Sequence, residues 1–299
     1  MKKIITPVVT PFKEDESPDY EATKQIIDFL IEGGVDGILV LGSTGEFTNL
    51  SFEERAEYLK FYAEYTAGRT ELYAGTGGMS KKHIVSLTNQ ASELGYRASL
   101  IIGPYYYGIQ QEQLFAYYDE IAKSTEADLL IYNFPKRTGH TVNSDTVARL
   151  AEANHNIIGM KDSVLEPNHT GQISAEMRGK EFQLYSGFDN QFLFNVTIDG
   201  AGCIGGLSNI IPEIWSALVR AENNGQHKEV FFLASLVERL MPVYSFETNA
   251  SLLLKKLMVC RGLAIREKAI FPYHQCKEED YIRSRKLLEE VLREFNNWK

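Results

Sequence analysis

The chain of 299 residues is poor in cysteine and has no long apolar or single-sign runs. Its three cysteines, Cys203, Cys260 and Cys276, are widely spaced and form no C-x-x-C pair, which argues against a disulfide framework and a thiolate metal site. No apolar run approaches the roughly 20 residues of a membrane span. Prolines interrupt the amino-terminal apolar stretch, which is untypical of a secretory signal. We therefore expect a cytoplasmic protein with no membrane contact.

Positive charge is also scarce. The 31 basic and 40 acidic side chains give a formal net charge of −9, which argues against binding nucleic acid. The six histidines show no metal-ligand spacing, so no metal is expected. The glycine-rich stretches at 42–45 and 75–78 lack, respectively, the lysine of a phosphate loop and the third glycine of a dinucleotide fingerprint. Small molecules are the expected partners.

The sequence does contain an alternation of short apolar runs and stretches of helical periodicity, repeated about eight times. The predicted strands are 4–9, 37–41, 71–74, 99–102, 129–132, 157–160, 183–185 and 201–204. Because nearly all their residues are apolar, these strands suit a parallel sheet that is covered on both faces. Eight such units predict an α/β fold of the (β/α)₈ barrel type, and a doubly wound open sheet is the structural alternative.

The strand signal stops near residue 212, and the rest of the chain has helical periodicity. The predicted helices there are 213–223, 228–240, 249–260 and 278–296. We therefore divide the chain into a barrel that carries the active site, residues 1–222, and a C-terminal helical region, residues 223–299. The apolar faces of this region, which include Phe231 and Leu253, are expected to pack on the barrel rather than on another subunit.

Lys161 is the strongest candidate for a catalytic residue at the strand ends, where the reactive groups of a barrel are expected. It directly follows the apolar run 157–160, so its amine is expected in a mostly apolar barrel mouth. Desolvation disfavours an ammonium group and can make the amine a nucleophile towards a ketone, which is the chemistry of Schiff-base formation. The alternative is a lysine that forms an ion pair with Asp162. From position alone, the Schiff-base lysine and the ion-paired lysine are about equally favoured.

Five other residues follow strand ends and offer complementary chemistry. Tyr132 and Tyr106 carry phenols that can relay protons, although packing is the commoner role of a tyrosine. Ser43 and Thr44 lie between two glycines and offer hydroxyl and N–H groups that suit a carboxylate, or form a plain turn. Arg137 can bind a second carboxylate through two parallel hydrogen bonds, or is an ordinary solvated arginine.

Five motifs at strand ends, taken together, resemble the dihydrodipicolinate synthase / N-acetylneuraminate lyase family of pyruvate-dependent Schiff-base enzymes. They are G-S-T-G-E at 42–46, P-Y-Y at 104–106, Y-N-F-P at 132–135, G-M-K-D at 159–162 and S-G-F-D at 186–189. The resemblance covers the whole chain in order. It implies a barrel with a helical C-terminal region, a homotetramer, and a covalent lysine–pyruvate imine without a metal or organic cofactor.

The resemblance also implies roles for particular residues. Lys161 would be the Schiff-base lysine, and Tyr132 the phenol that shuttles protons. Ser43 would complete the proton relay together with Tyr106, which would reach in from a neighbouring subunit. The residues that contact or line the substrate would be Thr44, Arg137, Gly187 and Ile204.

Within the family the aldehyde partner of pyruvate differs, and the motifs conflict. Arg137 matches the arginine that binds the carboxylate of aspartate semialdehyde, so we expect a 4-hydroxy-tetrahydrodipicolinate synthase of lysine biosynthesis. Ser43 and Phe188 depart from those synthases. A 2-keto-3-deoxy-sugar-acid aldolase or N-acetylneuraminate lyase-like enzyme, with Ser208 and Asn209 binding hydroxyls, is the alternative. The non-enzyme alternative is a barrel that senses a 2-oxo acid without turnover.

Overall fold

The computed structural model describes residues 1–246, 250–273 and 275–298. Its centre is a closed barrel of eight parallel strands that pair in chain order, with the eighth closing onto the first. The strands are β1 (Lys3–Pro7), β2 (Gly37–Val40), β3 (Glu71–Gly75), β4 (Ala98–Ile102), β5 (Leu129–Asn133), β6 (Ile157–Asp162), β7 (Gln183–Ser186) and β8 (Gly202–Ile204). The predicted barrel is confirmed, and the open sheet is wrong.

The strands are apolar because both of their faces are buried. Every residue of β2, β4 and β5 is buried, and the sheet register places Tyr132 of β5 directly opposite Lys161 of β6. The predicted bounds agree with the observed ones to within two residues. One difference matters for the site: β6 continues to Asp162, so Lys161 lies within the strand rather than after it.

Helices connect the strands and cover the outside of the barrel. They are α1 (Tyr20–Glu32), α2 (Phe52–Thr66), α3 (Lys81–Glu93), α4 (Gln111–Ala122), α5 (Pro135–Thr138), α6 (Ser144–Ala153), α7 (Pro167–Glu176), α8 (Phe192–Thr197) and α9 (Pro212–Asn223). Helix α1 buries Ile26, Ile27 and Leu30 on one face. At the start of α2, the side chains of Ser51 and Glu54 accept each other's backbone N–H groups, which fixes where the helix begins.

The chain after the barrel is helical, as predicted. Its helices are α10 (His227–Leu240), α11 (Val243–Phe246), α12 (Ala250–Cys260) and α13 (Glu278–Trp298). The short helix α11 was not expected from the sequence. Asn249, where the sequence predicts that α12 begins, lies outside the described residues. The division of the chain at residue 222 stays a prediction.

The C-terminal helices pack on the barrel through their apolar faces. Leu253 and Leu257 of α12 are fully buried in the same core as the barrel strands. Phe231 of α10 is 68% exposed, so the expectation that it packs on the barrel is wrong. Its neighbour Val230 and the next-turn residue Leu233 take the inward positions instead. In the ranges that the structure describes, no helix is both long and apolar enough to cross a membrane.

Candidate active site

Lys161 lies near the carboxyl end of β6, beside Tyr132 in the barrel mouth. Its side chain is 5% exposed, and its Nζ lies 4.7 Å from the centroid of the Tyr132 ring. Among the described residues, no ion pair joins this amine to a carboxylate. The strand therefore presents a buried amine against the face of a phenol, where a carbonyl carbon can approach from the mouth.

Asp162, the neighbour considered as a partner for Lys161, points to the other face of the sheet. Its fully buried carboxylate accepts hydrogen bonds from Asn133 Nδ2 at 2.8 Å, Thr170 Oγ1 at 2.7 Å and the ring Nδ1 of His169 at 2.9 Å. Successive side chains of a strand alternate between its two faces, so this carboxylate is turned away from Lys161. The interpretation that Asp162 neutralises Lys161 is wrong.

His169 of α7 joins Asp162 to the loop before α6. Its Nδ1 lies 2.9 Å from Asp162 Oδ2, and its Nε2 lies 3.0 Å from the carbonyl oxygen of Val142. Because both neighbours are acceptors, the ring makes both bonds only as the doubly protonated imidazolium. Burial lowers the pKa of His169, but the hydrogen bond and the charge of Asp162 outweigh burial and raise this pKa above its ordinary value of 6.5.

We expect the free energy of unfolding to fall as the pH rises through the raised pKa of His169. The stabilisation by the imidazolium is complete below the unfolded-state pKa near 6.5, and it disappears above the folded-state pKa, where both states are neutral. Urea denaturation between about pH 6 and pH 9 measures the decline. The variant His169→Gln should show a flatter profile over this range. An equally steep profile in His169→Gln would contradict the assignment.

The turn after β2 brings Ser43 to the phenol of Tyr132. Ser43–Gly45 form a short 3₁₀ turn, closed by a 3.0 Å hydrogen bond from the Gly45 N–H to the Gly42 carbonyl. Ser43 Oγ lies 3.4 Å from the phenolic oxygen of Tyr132, and Thr44 is half-buried beside it. The structure thus brings three of the predicted residues together, with Tyr132 in contact with Ser43 on one side and with Lys161 on the other.

An aromatic cluster continues from Tyr132 to the rim of the mouth and carries Arg137. The rings of Tyr132 and Phe134 stack with centroids 5.8 Å apart, and Phe188 meets Phe134 edge-on at 6.4 Å. Arg137, in α5, is exposed and places its guanidinium carbon 5.9 Å from the Phe134 centroid. Arg137 therefore lies on the same side of the mouth as the phenol, with its charge at the rim.

The three other predicted site residues have different surroundings. The N–H of Gly187 donates to the Asp162 carbonyl at 2.7 Å, and a Cβ there would lie 1.9 Å from Ser163 Oγ, so this close approach requires glycine. Ile204 ends β8 and is buried. Tyr106 is 80% exposed and packs edge-on against Tyr107 at 4.9 Å. The single chain does not bring Tyr106 to Lys161.

Ser208 and Asn209 are committed to the backbone and do not line the mouth as hydroxyl-binding groups. Both are fully buried. Ser208 Oγ donates to the Gly205 carbonyl at 2.6 Å, and Asn209 Nδ2 donates to the carbonyls of Pro7 and Gly206 at 3.0 and 2.9 Å. Asn209 Oδ1 also accepts from the Val9 N–H. The expectation that they bind substrate hydroxyls is therefore wrong.

The buried Asp189 and the half-buried Tyr244 form a hydrogen-bonded pair near the mouth, which the sequence does not predict. The hydroxyl of Tyr244 in α11 donates to Asp189 Oδ2 at 2.6 Å, and the Leu207 N–H donates to Oδ1 at 3.2 Å. Burial raises the pKa of Asp189 to about 6, while these hydrogen bonds and the nearby charge of Lys161 oppose the rise. Asp189 belongs to the strand-end motif at 186–189, whereas nothing in the sequence around Tyr244 signals the contact.

The arrangement of a buried lysine, a phenol and a hydroxyl at one barrel mouth is that of a class I aldolase-type lyase. Residues 1–291 match the Dihydrodipicolinate synthetase family, and the chain belongs to this family. It is a pyruvate-dependent lyase of the Schiff-base type, so the non-catalytic sensing barrel is set aside. Among the described residues, no group of three or more His, Cys, Asp or Glu is placed to hold a metal ion.

Relatives with different substrates are similarly close to this chain. The 4-hydroxy-tetrahydrodipicolinate synthase of Aquifex aeolicus is 32% identical over 293 residues, covering 98% of this chain and 97% of the relative. The "Probable 2-dehydro-3-deoxy-D-pentonate aldolase YjhH" of Escherichia coli is 31% identical over 284 residues, covering 93% of this chain and 94% of the relative. The crystal structure of the Escherichia coli prophage protein YagE in complex with pyruvate superimposes with a TM-score of 0.94 at 28% identity, over 98% of this chain and 99% of that chain.

Proposed function

We propose that this enzyme forms an imine between pyruvate and Lys161 and adds the resulting enamine to an aldehyde. The observation that carries the proposal is the buried amine of Lys161, 4.7 Å from the ring of Tyr132 and without a carboxylate partner among the described residues. The amine attacks the keto carbon, and the carbinolamine loses water. The iminium then draws electrons from the methyl carbon as a proton leaves it, and that carbon attacks the aldehyde.

Protons move through the hydroxyl groups beside the imine. The phenol of Tyr132, 3.4 Å from Ser43 Oγ, gives a proton to the hydroxyl that leaves the carbinolamine as water, takes a proton back from the methyl carbon of the iminium, and gives it to the new alkoxide. Tyr106 joins this relay from a neighbouring subunit of a homotetramer, which accounts for its exposure in the single chain. Thr44 binds the pyruvate carboxylate. Because the iminium is itself the electron sink, the reaction needs neither a metal nor an organic cofactor.

The aldehyde that we propose is aspartate semialdehyde, which makes the enzyme a 4-hydroxy-tetrahydrodipicolinate synthase of cytoplasmic lysine biosynthesis. Arg137 supports this substrate because its guanidinium lies at the rim, over the ring of Phe134 that stacks on Tyr132. In the described part of the chain, no ion pair neutralises it. A guanidinium fork matches a carboxylate through two parallel hydrogen bonds.

The departure of Phe188 from the synthases supports a second candidate, the cleavage of a 2-keto-3-deoxy sugar acid. This ring packs edge-on against Phe134 at the mouth, where it adds apolar surface on the same side as Arg137. The relative named "Probable 2-dehydro-3-deoxy-D-pentonate aldolase YjhH" is 31% identical over 284 residues. The commitment of Ser208 and Asn209 to backbone carbonyls removes two of the hydroxyl-binding groups that this candidate would use.

The first experiment traps the imine with pyruvate and borohydride and locates the adduct by peptide mass spectrometry. We expect the reduced pyruvyl group on Lys161. The second experiment compares product formation from pyruvate plus aspartate semialdehyde with cleavage of 2-keto-3-deoxygluconate. An unmodified Lys161 would overturn the mechanism, and a preference for the sugar acid would overturn the proposed aldehyde while leaving the mechanism intact.

The substitution Arg137→Ala is expected to lower kcat/KM for aspartate semialdehyde by about 10- to 150-fold, because losing a charge-assisted contact costs about 1.5 to 3 kcal/mol. Pyruvate trapping should be unchanged. Steady-state kinetics with aspartate semialdehyde and borohydride trapping with pyruvate measure the two effects. Lys136→Ala is the matched control, since Lys136 is the adjacent exposed cation of the same short helix. Equal losses in the two variants would contradict a specific role for Arg137.

A further inference from the structure

Lys255 of α12 reaches from the C-terminal helices to the mouth of the barrel. It is fully buried, and its Nζ donates to Glu46 Oε2 at 2.7 Å and to the Thr10 carbonyl at 3.1 Å. The same amine lies 4.7 Å from the centroid of the Phe12 ring. Burial lowers the pKa of Lys255, and the charge and hydrogen bond of Glu46 oppose this effect. One side chain therefore joins the loops after β1 and β2.

Glu46 is the residue that closes the turn carrying Ser43 and Thr44. Its N–H donates to the Ser43 carbonyl at 3.2 Å, and its φ of 55° lies in the left-handed region, which residues other than glycine rarely adopt. The hydroxyl of Thr10 donates to the adjacent Gly45 carbonyl at 2.7 Å. Lys255 thus binds the side chain of Glu46, the last residue of this turn, and also binds the carbonyl of Thr10, whose hydroxyl binds the Gly45 carbonyl.

Stability alone is a weak reason for this pair. Taking both charges out of water costs about as much as their attraction returns, and apolar side chains of the same volume often serve a core equally well. An ion pair does fix the relative position of its two ends, since both the charge and the hydrogen bond are lost when they separate. The ends here are α12 and the turn that presents Ser43 to Tyr132 at 3.4 Å.

We propose that Lys255 is a positioning residue of the reaction. By holding Glu46, it fixes the turn at 43–46 so that Ser43 meets the phenol of Tyr132 and Thr44 faces the pyruvate carboxylate. Lys255 touches no substrate and moves no proton. The inference rests on the proposed function, because it takes the roles of Ser43 and Thr44 from there.

The test compares Lys255→Met with Lys256→Met, a matched change one residue along the same helix that removes a peripheral ion pair with Glu267. Circular dichroism gives the folded fraction, and pyruvate with borohydride gives the rate and the end point of imine formation at Lys161.

In Lys255→Met we expect the rate of imine formation per folded site to fall about 10- to 100-fold, because small misplacements of catalytic groups have effects of this size. KM for pyruvate should rise, the end point should be complete, and Lys256→Met should match the wild type.

If Lys255→Met does not fold, the double variant Lys255→Met/Glu46→Gln decides, since it leaves neither charge buried alone. A slowed rate with a complete end point in whichever variant folds supports positioning. A wild-type rate per folded site overturns it, even where thermal stability falls, because that is the result of a purely structural role. Loss of folding in both variants likewise assigns the pair to the fold and overturns the inference. Failure of the wild type to trap pyruvate overturns the proposed function instead.

Discussion

Replacing Lys161 with alanine is expected to abolish the covalent pyruvate adduct and to lower kcat by roughly 10⁴-fold or more, since the substitution removes the nucleophile itself. The side chain is buried at the mouth with no carboxylate partner among the described residues, so no ion pair is broken by its loss. The fold should survive, because a small gap at the open end of the barrel can be filled by water. Peptide mass spectrometry after borohydride treatment and steady-state kinetics measure the two effects.

The matched control for this variant is Lys228→Ala, which removes an exposed lysine at the start of α10. It should leave both the adduct and kcat at the wild-type level. The conservative variant Lys161→Arg keeps a cation and much of the volume but has no nucleophilic amine, so it should be as inactive as the alanine variant. Retention of the adduct in Lys161→Ala would assign the imine to another lysine and remove the basis of the proposed mechanism.

The barrel could be predicted because its signal is local and repeated. Each strand is a short apolar run between breaks, and burial on both faces explains the absence of alternation. The same periodicity marks where site residues are expected, because the residues near strand ends of a barrel meet at one mouth, while the roles of Lys161 and Tyr132 come from the resemblance to the family. The register of the structure places Tyr132 of β5 directly opposite Lys161 of β6.

The sequence alone leaves the partner of Asp162 open, because it does not show where β6 ends. The apolar run predicts a strand that ends at residue 160, and from position alone Lys161 either forms a Schiff base or pairs with Asp162. The strand in fact runs through Asp162, and alternation along it sends the two side chains to opposite faces. Polar residues at the end of an apolar run can thus belong to the strand when the helices outside the barrel supply hydrogen-bond donors to them. Here His169 and Thr170 of α7 supply these donors to Asp162.

Long-range polar contacts could not be predicted from the sequence. Lys255 and Glu46 are 209 residues apart, and the periodicity of α12 marks Lys255 only as one position on an otherwise apolar face. Ser208 and Asn209 were judged by residue type as substrate ligands. The structure shows them satisfying buried backbone carbonyls, a demand that is created by the packing of the chain and is not visible in its sequence.

The substitution Tyr132→Phe is expected to lower kcat by about 10²- to 10⁴-fold, the usual contribution of a group that transfers protons in the transition state. It removes only the phenolic oxygen, so the ring should keep its stacking on Phe134 and its contact with Lys161. The pyruvate adduct should still form on Lys161, but slowly, because the loss of water from the carbinolamine lacks its proton donor. Single-turnover trapping at a series of times separates a slow rate from a missing adduct.

Tyr118→Phe is the control, since Tyr118 is also buried but donates its hydroxyl to the Ile101 carbonyl, away from the mouth. It should lower thermal stability and leave the trapping rate unchanged.

Ser43→Ala tests the proton relay itself. If Ser43 and Tyr132 pass one proton between them, the double variant Ser43→Ala/Tyr132→Phe should lose little more kcat than Tyr132→Phe alone, as expected of residues that act as a unit. Additive losses would mean that the 3.4 Å contact between their oxygens is only packing and that Tyr132 receives its proton by another route.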